Sequence, residues 1–267
     1  MSAAAEAATI HPVTADLIAA AQRYRDRSAS RAAWPPEDVQ LLADVLVDLD
    51  EDVCRDVADR HERAPHLAFE NDVARSYDRT KREVRELFDE LTAAGFAVAP
   101  WLRPGQPYHD SRELVAHVRA TRTIRVLLTR DAHGPTAATG FHPLREPAGV
   151  NVGGVELAHN DLVRAVHDLV GHVMAGTGFG AAGELKAAYC QMALHSTDVR
   201  RVLFAEHVAQ TCWFYFGPHL RDGAGRLLRP GERGYVPPHG RPYPEQKVYA
   251  AATEDLEGFR RMFVEAA

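Results

Sequence analysis

The sequence is poor in cysteine and contains no long apolar run. Its three cysteines, at positions 54, 190 and 212, lie far apart, and none forms a Cys-x-x-Cys pair. This spacing argues against a disulfide framework and favours free thiols in a reducing, cytoplasmic setting. The alanine-rich start lacks the basic and apolar segments of a secretory signal. No stretch approaches the ~18 apolar residues of a membrane span, so no membrane partner is expected.

The chain also lacks an excess of positive charge. Its 31 lysines and arginines are outnumbered by 37 aspartates and glutamates, which gives a net charge of −6. Because binding to phosphate backbones requires a basic surface, no nucleic-acid partner is expected. A chain of 267 residues with 46% hydrophobic residues needs neither disulfides nor a structural metal to stay folded. A metal site in it would therefore serve chemistry.

Two further catalytic patterns are missing. The serine, threonine and cysteine residues form no nucleophile elbow and no triad, which argues against covalent catalysis. The glycine-rich stretch 176–180 is not preceded by a strand pattern, so a dinucleotide-binding fingerprint is not expected. Its glycines instead suit a tight turn between two helices.

Helical periodicity dominates the sequence and predicts a mainly α fold with a minor β element, in a single domain over residues 1–267. Residues 1–12 are expected to form a loose tail and residues 13–95 a helical layer. Residues 96–157 should contain a strand and a long loop. Residues 158–267 are expected to form a metal-binding helical core.

Several local patterns locate these elements. Pro35 to Asp38 predicts a helix start followed by a helix through Val53, because prolines and acids suit a first turn. A second long apolar stripe predicts a helix over 68–94. The run 121–129 is rich in β-branched residues and predicts a strand, with a loop over 130–157. The remaining helices are predicted at positions 159–175, 181–196, 198–216 and 253–265.

The stretch His-Asp-Leu-Val-Gly-His, residues 167–172, is the centre of the chemical interpretation. Its two histidines are five residues apart, which on an ideal α-helix leaves them ~140° apart around the axis and ~7.5 Å along it. They can bind one ion if His167 lies in an early or distorted turn. Asp168, four residues before His172, is either a ligand or an acceptor that orients an imidazole.

Two later helices bring more polar residues to single faces. Glu184, Gln191 and His195 share one face, and Glu206, Gln210 and Trp213 share another. Both helices are otherwise apolar, and a buried carboxylate is costly unless it is paired, hydrogen-bonded or bound to metal. A metal would satisfy Glu206 and also Glu184.

The string His-Asp-Leu-Val-Gly-His-Val resembles the iron motif of the aromatic amino acid hydroxylases, His-Glu-Leu-Leu-Gly-His-Val. In that family the two histidines and a later glutamate, on an aromatic-flanked helix, hold mononuclear iron. The resemblance implies Fe(II) held by His167, His172 and Glu206. It covers about 50 of the 267 residues and does not reach the family's pterin-binding part, so it does not imply a pterin cosubstrate.

More of the chain resembles an uncharacterised group of bacterial and phage proteins. These carry similar Val-His-Asp-x-x-Gly-His, Gly-Phe-Gly-x-x-Gly-Glu and Phe-Gly-Pro strings, which stand here at residues 166–172, 178–184 and 216–218. This second resemblance implies no activity.

Three ligands with open positions suit a non-haem iron oxidoreductase of the monooxygenase type, with dioxygen and a small, amino-acid-like substrate as partners. In this hypothesis Glu184, Asp168 and His195 orient ligands or relay protons. The expected substrate-binding residues are Arg164, Gln210 and Trp213. The sequence does not indicate an oligomeric state.

Three alternatives stay open. The same cluster suits a zinc-dependent hydrolase in which the metal activates water and Glu184 is the general base. A dinuclear centre could use Glu184 and His195 as additional ligands. The polar residues could also form a hydrogen-bonded network inside a non-catalytic helical bundle.

Overall fold

The computed structural model describes residues 10–31, 34–68, 70–132 and 140–264. It is 57% helical with only small two-stranded sheets, so the predicted mainly α fold with a minor β element is confirmed. Of the predicted loose tail, residues 1–9 lie outside the described part, and a helix already begins at Pro12. No helix of the described residues is long and apolar enough to cross a membrane.

The first half of the chain forms a helical layer. Its helices are α1 (Pro12–Asp26), α2 (Glu51–Arg63), α3 (Asn71–Ala93), α4 (Ser111–Thr121) and the short α5 (Thr129–Ala132). The prediction of a helix over 68–94 is confirmed by α3, which buries an apolar stripe and packs against α1. This layer forms one wall of the core, and the chemical segment packs on it.

The prediction of a helix that starts at Pro35 was wrong. The chain instead makes a 3₁₀ turn over Val39–Ala43 and a two-residue strand, β1 (Leu46–Val47), before α2 begins. Asp50 caps α2 by accepting hydrogen bonds from the backbone of Asp52 and Val53. Val39, Leu42 and Val45 of this stretch are buried, whereas Leu41 and Leu46 are exposed. The stronger N-terminal cap lies at Asp50.

Three small sheets complete the first part. Strand β2 (Ala97–Trp101) pairs in parallel with β3 (Thr123–Leu127), which confirms the strand predicted over 121–129. Strands β4 (Pro147–Val152) and β5 (Val155–Ala158) form an antiparallel hairpin inside the stretch predicted to be a loop. The pair Gly153-Gly154, both at positive φ, makes its two-residue turn. Strand β6 (Phe263–Val264) pairs with β1.

The chemical half of the chain is helical, as predicted. Helix α6 (His159–His167) runs into a π-helical segment, Asp168–Met174, and α7 (Ala181–Ala193) follows the glycine-rich loop. Helix α8 (Thr197–Leu203) continues through a second π-helical segment, Phe204–Ala209, into α9 (Gln210–Phe216). Helix α10 (Thr253–Arg260) closes the fold. Helix α7 packs against both π-helical segments, so all three meet in the core.

Candidate metal centre

The first π-helical segment brings the two motif histidines together. Because a π-helix closes i→i+5 hydrogen bonds and so has a wider turn, residues five apart lie closer in angle than on an ideal α-helix. His167 ends α6 and His172 lies within the segment, and their ring centroids are 5.1 Å apart at an interplanar angle of 78°. The five-residue spacing, which an ideal α-helix would splay, is therefore accommodated by a local change of helix type.

Glu184 joins these histidines from the first turn of α7. Its Oε2 atom lies 3.3 Å from His167 Nε2 and 3.6 Å from His172 Nε2. Among the described residues, these three bring potential ligand atoms within 4.8 Å of one another. We call His167, His172 and Glu184 the cavity cluster.

The glycine-rich loop fixes the position of Glu184. A Cβ atom at position 183 would clash with the carbonyl oxygen of Gly178, so the loop folds tightly onto the start of α7 only with glycine there. On the other side, a Cβ at Gly171 would lie 2.5 Å from the Cβ of Ala187. These close approaches hold α7 against the π-helical segment and thereby hold the carboxylate beside the imidazoles.

Interactions within the cavity cluster shift the pKa values of Glu184 and His172. Burial alone would raise the pKa of Glu184, but the neighbouring imidazoles of His167 and His172 outweigh it and hold that pKa well below its usual value. Burial alone would lower the pKa of His172, yet the Glu184 carboxylate, 3.6 Å from Nε2, raises it overall. The cavity cluster therefore contains an ionised carboxylate beside two imidazole rings.

Thr177 orients the His172 ring from behind. His172 Nδ1 lies 2.8 Å from the Thr177 hydroxyl and 3.2 Å from the Thr177 carbonyl oxygen. A proton on Nδ1 satisfies the carbonyl and leaves Nε2, the atom that faces Glu184, free to act as a ligand. Backbone carbonyls commonly orient metal-binding histidines in this way.

His167 is held by stacking instead. Its ring lies nearly parallel to that of His207, with centroids 4.3 Å apart and an angle of 15°. His167 Nδ1 and His207 Nε2 are both buried without a hydrogen-bond partner among the described residues. Burial and then the neighbouring His167 place the pKa of His207 well below its ordinary value, so this ring is neutral. His207 comes from the second π-helical segment.

The cavity cluster opens into a cavity of about 420 Å³. Of the residues predicted to orient ligands or bind substrate, Asp168, Arg164 and Gln210 line this cavity together with Glu184. Burial raises the pKa of Asp168, with His172 and His167 opposing. Arg164 donates to the carbonyl oxygen of Leu127 at 3.2 Å. Aromatic side chains form much of the remaining wall: Tyr108, Phe179, Phe214, Tyr215 and Tyr243.

Glu206 lines the cavity but is not part of the cavity cluster. Its Oε1 accepts a hydrogen bond from the Tyr77 hydroxyl at 2.9 Å and lies 3.0 Å from His142 Nε2. Its Oε2 accepts from Gln246 at 2.9 Å and from Gln210 at 3.4 Å. The carboxylate expected to complete the triad thus has other partners, and Glu184, expected to handle protons, lies with the histidines.

Two other predicted site residues lie away from the cavity wall. His195 is fully buried, with its Nδ1 2.8 Å from the Tyr24 hydroxyl and 3.5 Å from a carboxylate oxygen of Glu83. Trp213 donates from Nε1 to Glu62 at 2.5 Å, and its ring packs on that of His219. Neither is among the residues that line the cavity.

The sequence interpretation missed several contributors to the site. His142 and Gln246 were unassigned loop residues, Tyr77 was counted only as part of an apolar stripe, and His207 was not given a role. One available signal was that His207 follows Glu206 directly on the same apolar helix. The others depend on long-range packing, since Tyr77 and Glu206 are 129 positions apart in the chain.

No protein-family model, curated protein or solved structure matches this chain. The resemblance to the aromatic amino acid hydroxylases therefore stays a prediction.

Proposed function

We propose that the protein is a mononuclear metalloenzyme, a non-haem Fe(II)-dependent oxygenase that acts on a small molecule. The observation that carries this proposal is the convergence of His167, His172 and Glu184 at the wall of a cavity of about 420 Å³. The proposal places the carboxylate ligand at Glu184 and not at Glu206, because only Glu184 lies within reach of both histidines.

The donor set fits a divalent ion. Two imidazoles and one carboxylate form the ligand type found in oxygenases that keep open coordination positions. No described cysteine joins the group, which argues against a closed structural zinc site. The hydrogen bond behind His172 supplies the outer support that such ligands normally have. When bound, ferrous iron would supply the one-electron chemistry that activates dioxygen.

The chain's own residues would perform the remaining tasks. The aromatic wall of Phe179, Phe214 and Tyr215 would exclude water and pack against an apolar part of the substrate. Asp168 and Arg164, four residues apart on the same helical stretch, would orient polar groups next to the cavity cluster. A cavity of about 420 Å³ is in the range of small-molecule sites, which supports a small substrate.

Metal analysis of protein purified under anaerobic conditions tests the metal assignment. We expect close to one iron per chain and oxygen consumption on addition of substrate. Stoichiometric zinc without oxygen chemistry would instead support a zinc-dependent hydrolase. A chain that binds neither metal at micromolar concentration would leave a non-catalytic helical bundle as the remaining interpretation.

Titrating Fe(II) into matched carboxylate variants tests the ligand assignment. Glu184→Gln removes a proposed ligand, so its affinity should fall at least a hundredfold, whereas Glu206→Gln should change it by less than about tenfold, the lower end for outer-shell groups. Loss of binding only in Glu206→Gln would restore the assignment made from the sequence. Loss in both would indicate a site that includes both carboxylates.

A further inference from the structure

Glu206 is a buried carboxylate at the cavity wall with no place in the cavity cluster. Its two oxygens face different surroundings. Tyr77 and His142, which contact Oε1, are not among the cavity-lining residues, whereas Gln210 and Gln246, which contact Oε2, line the cavity with Glu206. The Oε2 side is therefore the one directed toward the cavity.

The partners of Glu206 keep it ionised. Burial alone would raise its pKa, but His142, Gln246 and Tyr77 outweigh burial and lower it. The pKa of Tyr77 is raised well above its usual value by burial and then by Glu206, so the phenol keeps its proton and donates it. Among the described residues, the basic group paired with Glu206 is His142. His142 Nε2 lies 3.0 Å from Glu206 Oε1, on the side of the carboxylate away from the cavity.

The two glutamines make this end of the cavity rich in acceptors. Each directs its amide nitrogen toward Glu206, so each amide oxygen points elsewhere. The Gln246 oxygen accepts from Arg145 Nε at 3.2 Å, while the Gln210 oxygen accepts no hydrogen bond from the described residues. Gln210 Nε2 is also a long donor at 3.4 Å, which leaves Oε2 with spare accepting capacity. A ligand group here would meet a carboxylate and a carbonyl.

This end of the cavity is held rigidly in place. Lys247, next to Gln246, donates to the backbone carbonyls of His61, Glu62 and Ala64 at the end of α2, each at 2.9 Å. A cation at a helix C-terminus is favourable, so this contact fixes the segment that carries Gln246. Glu206 itself lies within the second π-helical segment. The acceptors are thus pre-positioned.

We propose that the Glu206 end of the cavity binds the protonated amine of a small organic cation. An ammonium group has three donors and one positive charge, which match the spare acceptors of Glu206 and Gln210. Tyr243 lines the same cavity and offers an aromatic face that also attracts cations, whereas Arg241 already lies over Phe214 and Tyr215. A cationic ligand would offset the charge of a carboxylate that is otherwise costly to bury at a cavity wall. The inference rests on the proposed function in taking this cavity as the substrate chamber.

The test compares three ligands of similar shape in the metal-free chain: 2-phenylethylamine, 2-phenylethanol and phenylacetate. Binding is measured by calorimetric titration at pH 7.5, where the amine is protonated. We expect the amine to bind at least tenfold more tightly than the alcohol, and the acid to bind most weakly. Equal affinities, or a preference for the acid, would overturn the proposal without any variant.

Variants then test which residues cause the preference for the amine. Glu206→Gln should abolish the amine preference while changing alcohol binding by less than about twofold, and Gln210→Leu should reduce the preference several-fold. Glu156→Gln, which removes the same charge from an exposed strand position, serves as the control. A preference that survives in Glu206→Gln would also overturn the proposal. If Glu206→Gln does not fold, the ligand series and Gln210→Leu decide.

Because these titrations need no metal, their failure is separable from that of the proposed function. Iron bound at His167, His172 and Glu184 without amine preference would leave a metalloenzyme for another substrate class. Amine preference without metal binding would leave a binding protein for organic cations.

Discussion

Two buried clusters of this protein combine histidine and glutamate, yet they differ in what surrounds them. The cavity cluster directs three donor atoms toward one point beside an open cavity. The second, which we call the interior cluster, consists of Glu83, His195, Tyr24 and Ser196 and contacts no part of that cavity. The same residue types therefore form a candidate metal site in one place and a hydrogen-bonded core network in the other.

The difference lies in how the hydrogen bonds are satisfied. In the interior cluster, Glu83 accepts from both the hydroxyl and the backbone nitrogen of Ser196, at 2.6 and 3.0 Å, and His195 is joined to Tyr24. In the cavity cluster, one carboxylate oxygen is shared between two imidazole nitrogens at 3.3 and 3.6 Å. A bound metal ion would replace these longer contacts, which converge on a common point, with metal–ligand bonds of ~2.0–2.2 Å.

Replacing one histidine in each cluster gives the largest expected contrast. His172→Ala should lose at least a hundredfold in metal affinity, because it removes one of three proposed ligands. His195→Ala should retain full metal binding and instead lower the melting temperature, since it removes the partner of the Tyr24 hydroxyl and one of the contacts of Glu83 in the core. Metal content by elemental analysis and thermal unfolding measure the two effects. Full metal content in His172→Ala would eliminate His172 as a ligand.

The close packing around the cavity cluster provides the next contrast. In Gly171→Ala the added Cβ would lie 2.5 Å from Ala187 Cβ and 2.9 Å from Ala187 Cα, so α7 must move away from the π-helical segment. Overpacking of this kind costs about 1–3 kcal/mol. Because the shift separates Glu184 from His172, metal affinity should fall more than tenfold.

Gly180→Ala is the matched control for this substitution. Position 180 has an ordinary extended backbone, and a Cβ there would meet nothing within 4 Å. Fe(II) titration and thermal unfolding should therefore show this variant close to the wild type. If Gly171→Ala bound metal as tightly as the control, the close approach would not be what positions the ligands.

The sequence could predict the helical fold and the motif histidines because both leave local signals. Apolar periodicity located α3 and the helices of the second half. The helix expected after Pro35 failed because Asp50 provides a better cap further along the chain. The β4–β5 hairpin was missed although Gly153-Gly154, between two short β-prone stretches, is a typical two-residue turn.

Local sequence patterns could not predict which carboxylate or further histidine faces the motif histidines. Glu184, His195 and Glu206 all lie on apolar helices, and each could face the motif histidines. Which one does depends on how the helices pack, and on π-helical segments that shift the side chains after them to a new face. The five-residue spacing of His167 and His172 counted against convergence only because an ideal α-helix was assumed.

The pH dependence of stability should reveal the interior cluster. Burial would raise the pKa of Glu83, but hydrogen bonds from His195 and Ser196 outweigh it and lower that pKa from 4.5 to about 2. Its contribution to the free energy of unfolding is therefore fully present above pH 4.5 and is lost as the pH falls toward 2. Glu83→Gln should cost about 2 kcal/mol at neutral pH, with metal affinity unchanged.

The measurement is chemical denaturation of wild type and Glu83→Gln across this pH range. The difference between the two free energies of unfolding should shrink as the pH falls from 4.5 toward 2. A constant difference would mean that the carboxylate's charge does not contribute to stability. A loss of metal binding in Glu83→Gln would show that the two clusters are coupled.

The smallest expected effect is that of Tyr24→Phe, which removes one hydroxyl from the interior cluster. The Tyr24 hydroxyl lies 2.8 Å from His195 Nδ1, and its aromatic ring stays packed on the His195 ring in the variant. Losing one buried hydrogen bond while the partner retains Glu83 should cost about 1 kcal/mol. Metal affinity should be unchanged, because no atom of Tyr24 lines the cavity. Denaturant unfolding and Fe(II) titration on the same sample check both statements. If this remote hydroxyl weakened metal binding as much as it weakened folding, the two clusters would form one cooperative network, and the separation drawn between them would be wrong.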